Sequence, residues 1–224
     1  CATEPAYIAA CCPKADTMWA RLSVGMWLAV RDGLQGWSLV AWATLGISVM
    51  VSTILAWGSE YDLSLPMSVR ATARSSLAFF LAAFMASTLY KLLPGRGGRW
   101  LLNNRRYLGL SFAASHAIHA VVVAATAYWL EHDYDMATLV GGILAYLLIA
   151  AMAVTSFDRT AAWLGQRRWT LLHSTGAYLL WAIFAVTYAG GAGEQSLHAF
   201  LFALLLVCLL LKVGTKLVEA RGRR

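Results

Sequence analysis

Six long apolar stretches alternate with short polar segments along this chain. They are Trp37–Trp57, Ser75–Leu93, Leu108–Leu130, Leu139–Thr155, Leu171–Tyr188 and Leu197–Leu211. A helix of about 20 mainly apolar residues is long enough to cross the hydrocarbon core of a bilayer. The pattern therefore predicts an all-α integral membrane protein, built as a six-helix bundle.

The region before the first apolar stretch has a different pattern. In Thr17–Gly33, apolar residues are interrupted by Arg21 and Arg31, which is typical of an amphipathic helix lying in the membrane interface. An extension of the first span is the alternative. The sequence thus divides into an N-terminal segment with an interfacial helix at residues 1–36, a six-span domain at residues 37–212 and a basic tail at residues 213–224.

Composition agrees with a membrane protein and argues against a nucleic-acid-binding one. Apolar residues make up 60% of the chain and charged residues 13%, and the mean hydropathy is +0.62. The basic pI of about 9.5 comes from residues that flank the apolar stretches, where they suit anionic lipid headgroups. Membrane lipid is therefore an expected partner, and nucleic acid is not.

The basic residues also predict an orientation. With six spans, both termini and the connectors Lys91–Arg106 and Ser156–Trp169 lie on one side of the membrane. That side carries 16 of the 18 Lys and Arg residues, all except Arg70 and Arg74. Because positive charge favours the cytoplasmic side, we expect a multi-pass protein of the inner (cytoplasmic) membrane with both termini in the cytoplasm.

Three of the five histidines lie inside the predicted spans. His116 and His119 are three residues apart in the third span, on one face of the helix, and His173 lies in the fifth. His132 and His198 are expected at the ends of spans, within reach of water. An ionisable side chain within a membrane span is costly, so a functional or a tightly paired role is the expectation for the first three.

Imidazoles on neighbouring helices suit the axial positions of a haem iron, in an apolar pocket that holds the porphyrin. A zinc site would need further ligands, and the third and fifth spans contain no Cys, Asp or Glu. A proton path would need carboxylates in the membrane, which these two spans also lack. The alternative to haem is that the histidines form hydrogen bonds between helices and so hold the bundle together.

A group of residues across the third to fifth spans resembles the ferric reductase-like transmembrane domain family. The matching residues are Arg105, Arg106, Leu108, Gly109, Leu110, His119, Thr155, Ser156, Leu164, Gly165, Trp169, Leu172 and His173. The family includes the cytochrome b core of NADPH oxidases and the haem-bearing membrane subunit of a bacterial periplasmic methionine sulfoxide reductase. The resemblance implies a six-helix bundle with b-type haem between its third and fifth helices. It also implies electron transfer from a cytosolic donor to an acceptor across the membrane.

The same resemblance suggests roles for individual residues. It implies that His119 and His173 are the axial ligands of the haem iron, and that Arg105 is a ligand or a close neighbour of the haem. The family usually has a second histidine 13 residues after the position of His173, where this chain has Val186. Since valine cannot bind iron, we expect haem b at no more than one site.

The partner of His173 is left open by the sequence. At about 1.5 Å per residue, His119 lies ~20 Å along its helix from Arg105, whereas His173 lies only ~8 Å from Arg168. His116 is nearer the depth of His173. Position in the family favours His119 as the second ligand, and depth favours His116.

These expectations predict an electron-transfer component of an oxidoreductase. The chain contains no G-x-G-x-x-G motif for a flavin or nicotinamide cofactor, so a donor protein or a membrane quinol must supply the electrons. An acceptor protein is the partner expected at the outer face. The competing hypothesis is a haem-less membrane scaffold or accessory subunit that kept the ferric reductase-like fold.

Overall fold

The computed structural model describes residues 33–58, 60–131, 133–191, 193 and 196–222. Over these ranges the chain forms eight helices and no strand. They are α1 (Trp37–Trp57), α2 (Tyr61–Leu92), α3 (Arg96–Asn103), α4 (Arg105–Trp129), α5 (Met136–Val154), α6 (Asp158–Leu164), α7 (Gln166–Gly190) and α8 (Ser196–Arg221). The predicted interfacial helix at Thr17–Gly33 lies outside the described residues except for Gly33, and His132 also lies outside them.

Six of these helices, α1, α2, α4, α5, α7 and α8, are long and apolar enough to cross a membrane. Their outer surfaces carry large apolar side chains, among them Val121, Leu147 and Leu210, which are 69%, 64% and 71% exposed. In a membrane these side chains contact lipid. The predicted helical membrane bundle with six spans is confirmed.

The second span differs most from its predicted bounds. Helix α2 begins at Tyr61, so Arg70 and Arg74 lie inside this helix and not in a loop before Ser75. The early part of α2 packs in the bundle through a buried face of small hydroxyl residues at every fourth position, Ser64, Ser68, Thr72 and Ser76. Average hydropathy does not detect such a face.

Helix α2 is also the longest, with 32 residues. At about 1.5 Å per residue it measures ~48 Å, whereas the hydrocarbon core is about 30 Å thick. Its first turns therefore extend past the core or the helix tilts. In the sixth span, α8 continues to Arg221, ten residues beyond the predicted end at Leu211.

The two polar connectors contain short helices that the sequence analysis did not predict. Helix α3 lies in the connector between α2 and α4, and α6 lies between α5 and α7. Both are found where α2, α5 and α8 end and where α4 and α7 begin, which we call the basic end. The first span also starts at the basic end. This follows from the amide of Gly36, directly before α1, which donates to Asn104 Oδ1 at 3.0 Å.

Five of the long helices form a closed ring. Helix α2 packs against α4 and α8, α4 against α5, and α7 against both α5 and α8, while α1 packs outside the ring on α2 and α4. Aromatic side chains fill the middle of the ring: Phe80 contacts the rings of Phe84, Phe112 and Phe184 at centroid distances of 5.3 to 5.5 Å. Helices α4 and α7 face each other across the ring.

Candidate functional site

A cavity of about 750 Å³ lies inside the ring at the basic end. Its walls come from α2, α4, α5 and α7, and α6 contributes Asp158, Ala161 and Ala162. Binding sites for cofactors and other small molecules typically measure about 300–1,000 Å³ and are lined mainly by apolar groups. The cavity is thus of a size that holds a cofactor.

Helix α4 provides one long wall, and glycine makes room along it. Arg105, Gly109, Phe112 and Ala113 line the cavity at helical spacing. A Cβ atom built on Gly109 would meet no atom within 4 Å. The absence of a side chain at Gly109 therefore leaves open space next to the backbone of α4.

Helix α7 provides the facing wall and places His173 on it. The indole ring of Trp169 stacks on the imidazole of His173 at a centroid distance of 4.3 Å and an interplanar angle of 23°. The indole N–H donates to the Thr155 carbonyl at 2.9 Å. Trp169 is thereby fixed to the end of α5, and it limits how His173 can turn.

The hydrogen bond of His173 determines which ring nitrogen is available. Its Nε2 lies 3.1 Å from Thr155 Oγ1, and that hydroxyl donates to the Ala151 carbonyl at 2.7 Å. Because the hydroxyl proton of Thr155 is used in that bond, its oxygen accepts a hydrogen bond from His173 Nε2–H. The tautomer that results has its lone pair on Nδ1, which can therefore act as a ligand.

Two arginines lie at the mouth of the cavity. Arg105 Nε donates to the Ala83 carbonyl at 3.2 Å, and Arg106 Nη1 forms an ion pair with Asp158 Oδ1 at 2.8 Å. Each guanidinium has five N–H donors, so further donors remain for an anionic group. The Arg106–Asp158 pair also links α4 to α6 across the mouth.

His119 does not line this cavity and instead joins α4 to α2. Its Nδ1 lies 2.9 Å from Thr72 Oγ1, and Thr72 donates to the Ser68 carbonyl at 2.7 Å. Next to it, Ser76 and Ser115 are hydrogen-bonded at 2.8 Å. His119 thus belongs to a polar seam between α2 and α4, formed by Ser68, Thr72, Ser76, Ser115 and His119.

His116 lies between the cavity and this polar seam. Its ring packs against Phe112, Tyr146 and Phe184 at centroid distances of 5.4, 4.9 and 6.2 Å. Because it follows Phe112 by four residues, it continues the cavity-facing side of α4 by one turn. Its Nδ1 is buried and has no hydrogen-bond partner among the residues that the structure describes.

The structure therefore separates the predicted site residues. Arg105 and His173 line one cavity, His116 lies one turn beyond its Phe112 wall, and His119 is bonded to α2. Val186 is 74% exposed on the outside of the bundle. This position is turned away from the interior in which a ligand would have to lie.

His198 lies at the start of α8, at the outer end of the sixth span, and is half-buried. Its Nδ1 is buried, without a partner in the described part of the chain, and its ring packs against Tyr188 at 5.4 Å. The reason is Gly191, where a Cβ atom would overlap His198 Nδ1. The glycine lets the imidazole of α8 pack closely against the end of α7.

Two features of this region were missed by the sequence analysis. The polar seam could have been recognised from the spacing of Ser68, Thr72 and Ser76. A second feature is Lys212, which is 7% exposed within α8; the predicted sixth span ended one residue before it, at Leu211. The signal that could have found it is an isolated lysine directly after an apolar run.

Over the described ranges, no group of three or more His, Cys, Asp or Glu side chains lies close enough together to hold a metal ion. The described residues therefore do not provide the four ligands of a usual zinc centre. A haem iron needs one or two protein ligands, because the porphyrin provides the other four.

The fold and the cavity define a helical membrane bundle with room for a cofactor. Over 125 residues the chain is 30% identical to the protein-methionine-sulfoxide reductase heme-binding subunit MsrQ of Azospira oryzae. The matched region is 51% of this chain and 48% of the relative, so the chain spans about half the length of this curated relative. No family profile matches the chain, and no solved structure matches it.

Proposed function

We propose that this chain binds one b-type haem in the cavity at the basic end and acts as an electron-transfer subunit of a membrane oxidoreductase. The observation that carries the proposal is the cavity of about 750 Å³ with His173 on its α7 wall and Arg105 at its mouth. The similarity to a heme-binding membrane subunit points in the same direction.

The residues around the cavity fit the chemistry of a haem. The porphyrin is a large apolar disc, and Phe80, Phe112 and Leu180 provide apolar walls for it. Its two propionates are anionic, and guanidinium groups bind carboxylates in a two-pronged geometry. We assign Arg105 and Arg106 to the propionates and His173 to the iron.

The packing of the side chains favours His116 over His119 as the second residue that would bind the haem iron. His116 continues the cavity-facing side of α4 and has a buried nitrogen that no described residue contacts by a hydrogen bond. His119 is turned to Thr72 of α2, although its Nδ1–H bond leaves Nε2 with a lone pair, as in many metal-bound histidines. The family resemblance that favours His119 and the packing that favours His116 thus make different predictions.

A b-type haem held there would supply one-electron transfer. The role of the chain is to bind it, keep water from it and set its electrostatic surroundings. We infer that the electrons come from a donor protein or a membrane quinol and leave to an acceptor at the outer face.

We also propose that the basic end lies in the cytoplasm, because Lys and Arg are concentrated there. A reporter fused after Arg224 should then behave as cytoplasmic and one inserted at Asp133 as external, and the reverse pattern would contradict this orientation.

The direct test is the absorption spectrum of the purified protein, produced in cells with ample haem. The difference between the dithionite-reduced and the oxidised spectra should show the bands of a six-coordinate b-type haem. Their absence from membrane-inserted, folded protein would contradict the proposal.

A haem-less scaffold is the second candidate function, and one observation favours it. His119 is hydrogen-bonded to Thr72 and His173 to Thr155, as expected if the histidines only join helices. In that case, replacing either histidine should lower stability without any spectral consequence.

A further inference from the structure

Lys212 is a cation inside the helical bundle that the proposed site does not use. It lies in α8 and is 7% exposed. Its Nζ donates to the Phe84 carbonyl and lies 4.3 Å from the centroid of the Phe84 ring. A buried charge in a membrane span is costly, so its presence calls for a reason beyond packing.

No carboxylate neutralises this charge within the described ranges. The ion pairs found there join Lys91 to Glu219 and Arg106 to Asp158. The contacts of Lys212 are instead a carbonyl dipole and the face of an aromatic ring, both of which attract a cation without cancelling its charge. Its positive field therefore extends into the surrounding bundle.

The direction in which this field acts follows from the position of Phe84. Phe84 lies under Lys212 and also lines the cavity. The carbonyl before it, that of Ala83, accepts from Arg105 on the cavity wall. Two consecutive carbonyls of α2 thus hold two cations from different helices, one at the cavity and one just behind its Phe84 wall.

We propose that Lys212 raises the reduction potential of the group bound in the cavity. This inference rests on the proposed function, because it needs a haem there. Reduction adds one electron to the iron, and no bond is made or broken. A positive charge separated from the cavity by one aromatic ring favours the state with the added electron, and the low dielectric of the bundle makes this attraction stronger than it would be in water.

Lys216 is a matched control on the same helix. It lies one turn further along α8 and is exposed, and its Nζ donates to Tyr178 Oη at 3.0 Å. Its removal deletes the same charge from nearly the same face. Because water and salt screen an exposed cation, its effect on the cavity should be much smaller.

A purely structural role for Lys212 makes a different prediction. If the residue only ties α8 to α2 through the Phe84 carbonyl, any donor of similar length should suffice. Lys212→Gln keeps a donor and removes the charge, Lys212→Met removes both, and Lys212→Arg keeps both. The three variants therefore separate charge from hydrogen bonding, even if one of them fails to fold.

The experiment is a potentiometric titration of the purified protein, followed by the haem absorption. The midpoint potential should fall in Lys212→Gln and Lys212→Met, fall less in Lys216→Met, and stay near the wild-type value in Lys212→Arg. Equal potentials in Lys212→Gln and the wild type would overturn the inference, and so would a fall in Lys212→Arg as large as in Lys212→Gln. Wild-type protein without haem would instead overturn the proposed function itself, so the two failures are distinguishable.

Discussion

His173 and His119 both lie inside apolar helices, yet their surroundings differ. His173 lines open space, next to a glycine-containing wall on the facing helix and two arginines at the mouth. His119 lies in the polar seam, next to Thr72 and the paired serines Ser76 and Ser115, all three of which are fully buried. The first region is built like a binding site and the second like a helix interface.

This difference shows why an imidazole in a membrane span does not by itself indicate a cofactor. Hydroxyl side chains on a neighbouring helix can satisfy its hydrogen-bonding groups. Such a hydrogen bond between membrane helices stabilises the fold by about 0.6 kcal/mol on average. An adjoining cavity is the additional feature that favours ligand binding. His116 has a neighbour on each side: the aromatic cavity wall at Phe112 and the ring of His119 at 5.2 Å.

The largest expected effect comes from removing the cavity histidine. His173→Ala should abolish haem binding while the protein still inserts into the membrane, because insertion depends on the apolar helices. Haem content per chain, measured on purified protein, tests this. His198→Ala is the control, since it removes an imidazole packed on Tyr188 at the other end of α7. A full haem complement in His173→Ala would exclude His173 as an essential ligand.

The next prediction separates the two histidines of α4. We expect His116→Ala to lose haem, and His119→Ala to keep it with a shifted absorption spectrum and a weaker affinity. Removing a group that only supports a metal ligand typically costs about 10–100-fold in affinity. Haem titration of both variants distinguishes these outcomes, and loss of haem in His119→Ala alone would favour the family-based assignment.

A smaller effect is expected from filling the cavity without touching any ligand. Gly109→Phe places a ring in open space beside α4 and should reduce haem content strongly but not completely, because neighbouring side chains can partly adjust. Gly46→Phe is the matched control, as Gly46 lies exposed on α1 and a Cβ atom added there would also meet no atom within 4 Å. Equal haem content in the two variants would contradict the location of the site.

Much of this fold follows from hydropathy, and the exceptions have physical reasons. The six spans were predictable because lipid requires apolar surfaces. The start of α2 was not, because its buried face consists of hydroxyl residues whose polar groups are satisfied one turn back, as Ser68 Oγ is by the Ser64 carbonyl at 2.9 Å. Pro66, Arg70 and Arg74 obscure that segment in any average over hydropathy.

The candidate site was predictable in part. His173 and Arg105 could be selected from residue type and position, and the structure places both on one cavity. The difference between His116 and His119 could not be predicted from their spacing, because residues three apart share a helix face. The surroundings of the two imidazoles depend on the neighbouring helices: Thr72 of α2 lies next to His119, and Tyr146 of α5 lies next to His116.

The smallest expected effect lies in the polar seam. Ser76→Ala removes the hydrogen bond to Ser115 and should lower the free energy of unfolding in a membrane environment by about 0.6 kcal/mol, without changing haem content. A double-mutant cycle with Ser115→Ala measures the coupling of the two hydroxyls. A loss of haem in Ser76→Ala would show that the seam contributes to the binding site after all.

The number of haems per chain tests the central claim most directly. With one cavity histidine on α7 and Val186 turned outward, the wild-type protein should contain one haem b per chain, determined as the pyridine haemochrome against protein concentration. Two haems per chain would require a ligand elsewhere and would contradict the single site. None, in folded protein supplied with haem, would contradict the proposed function and leave the scaffold as the explanation of the fold.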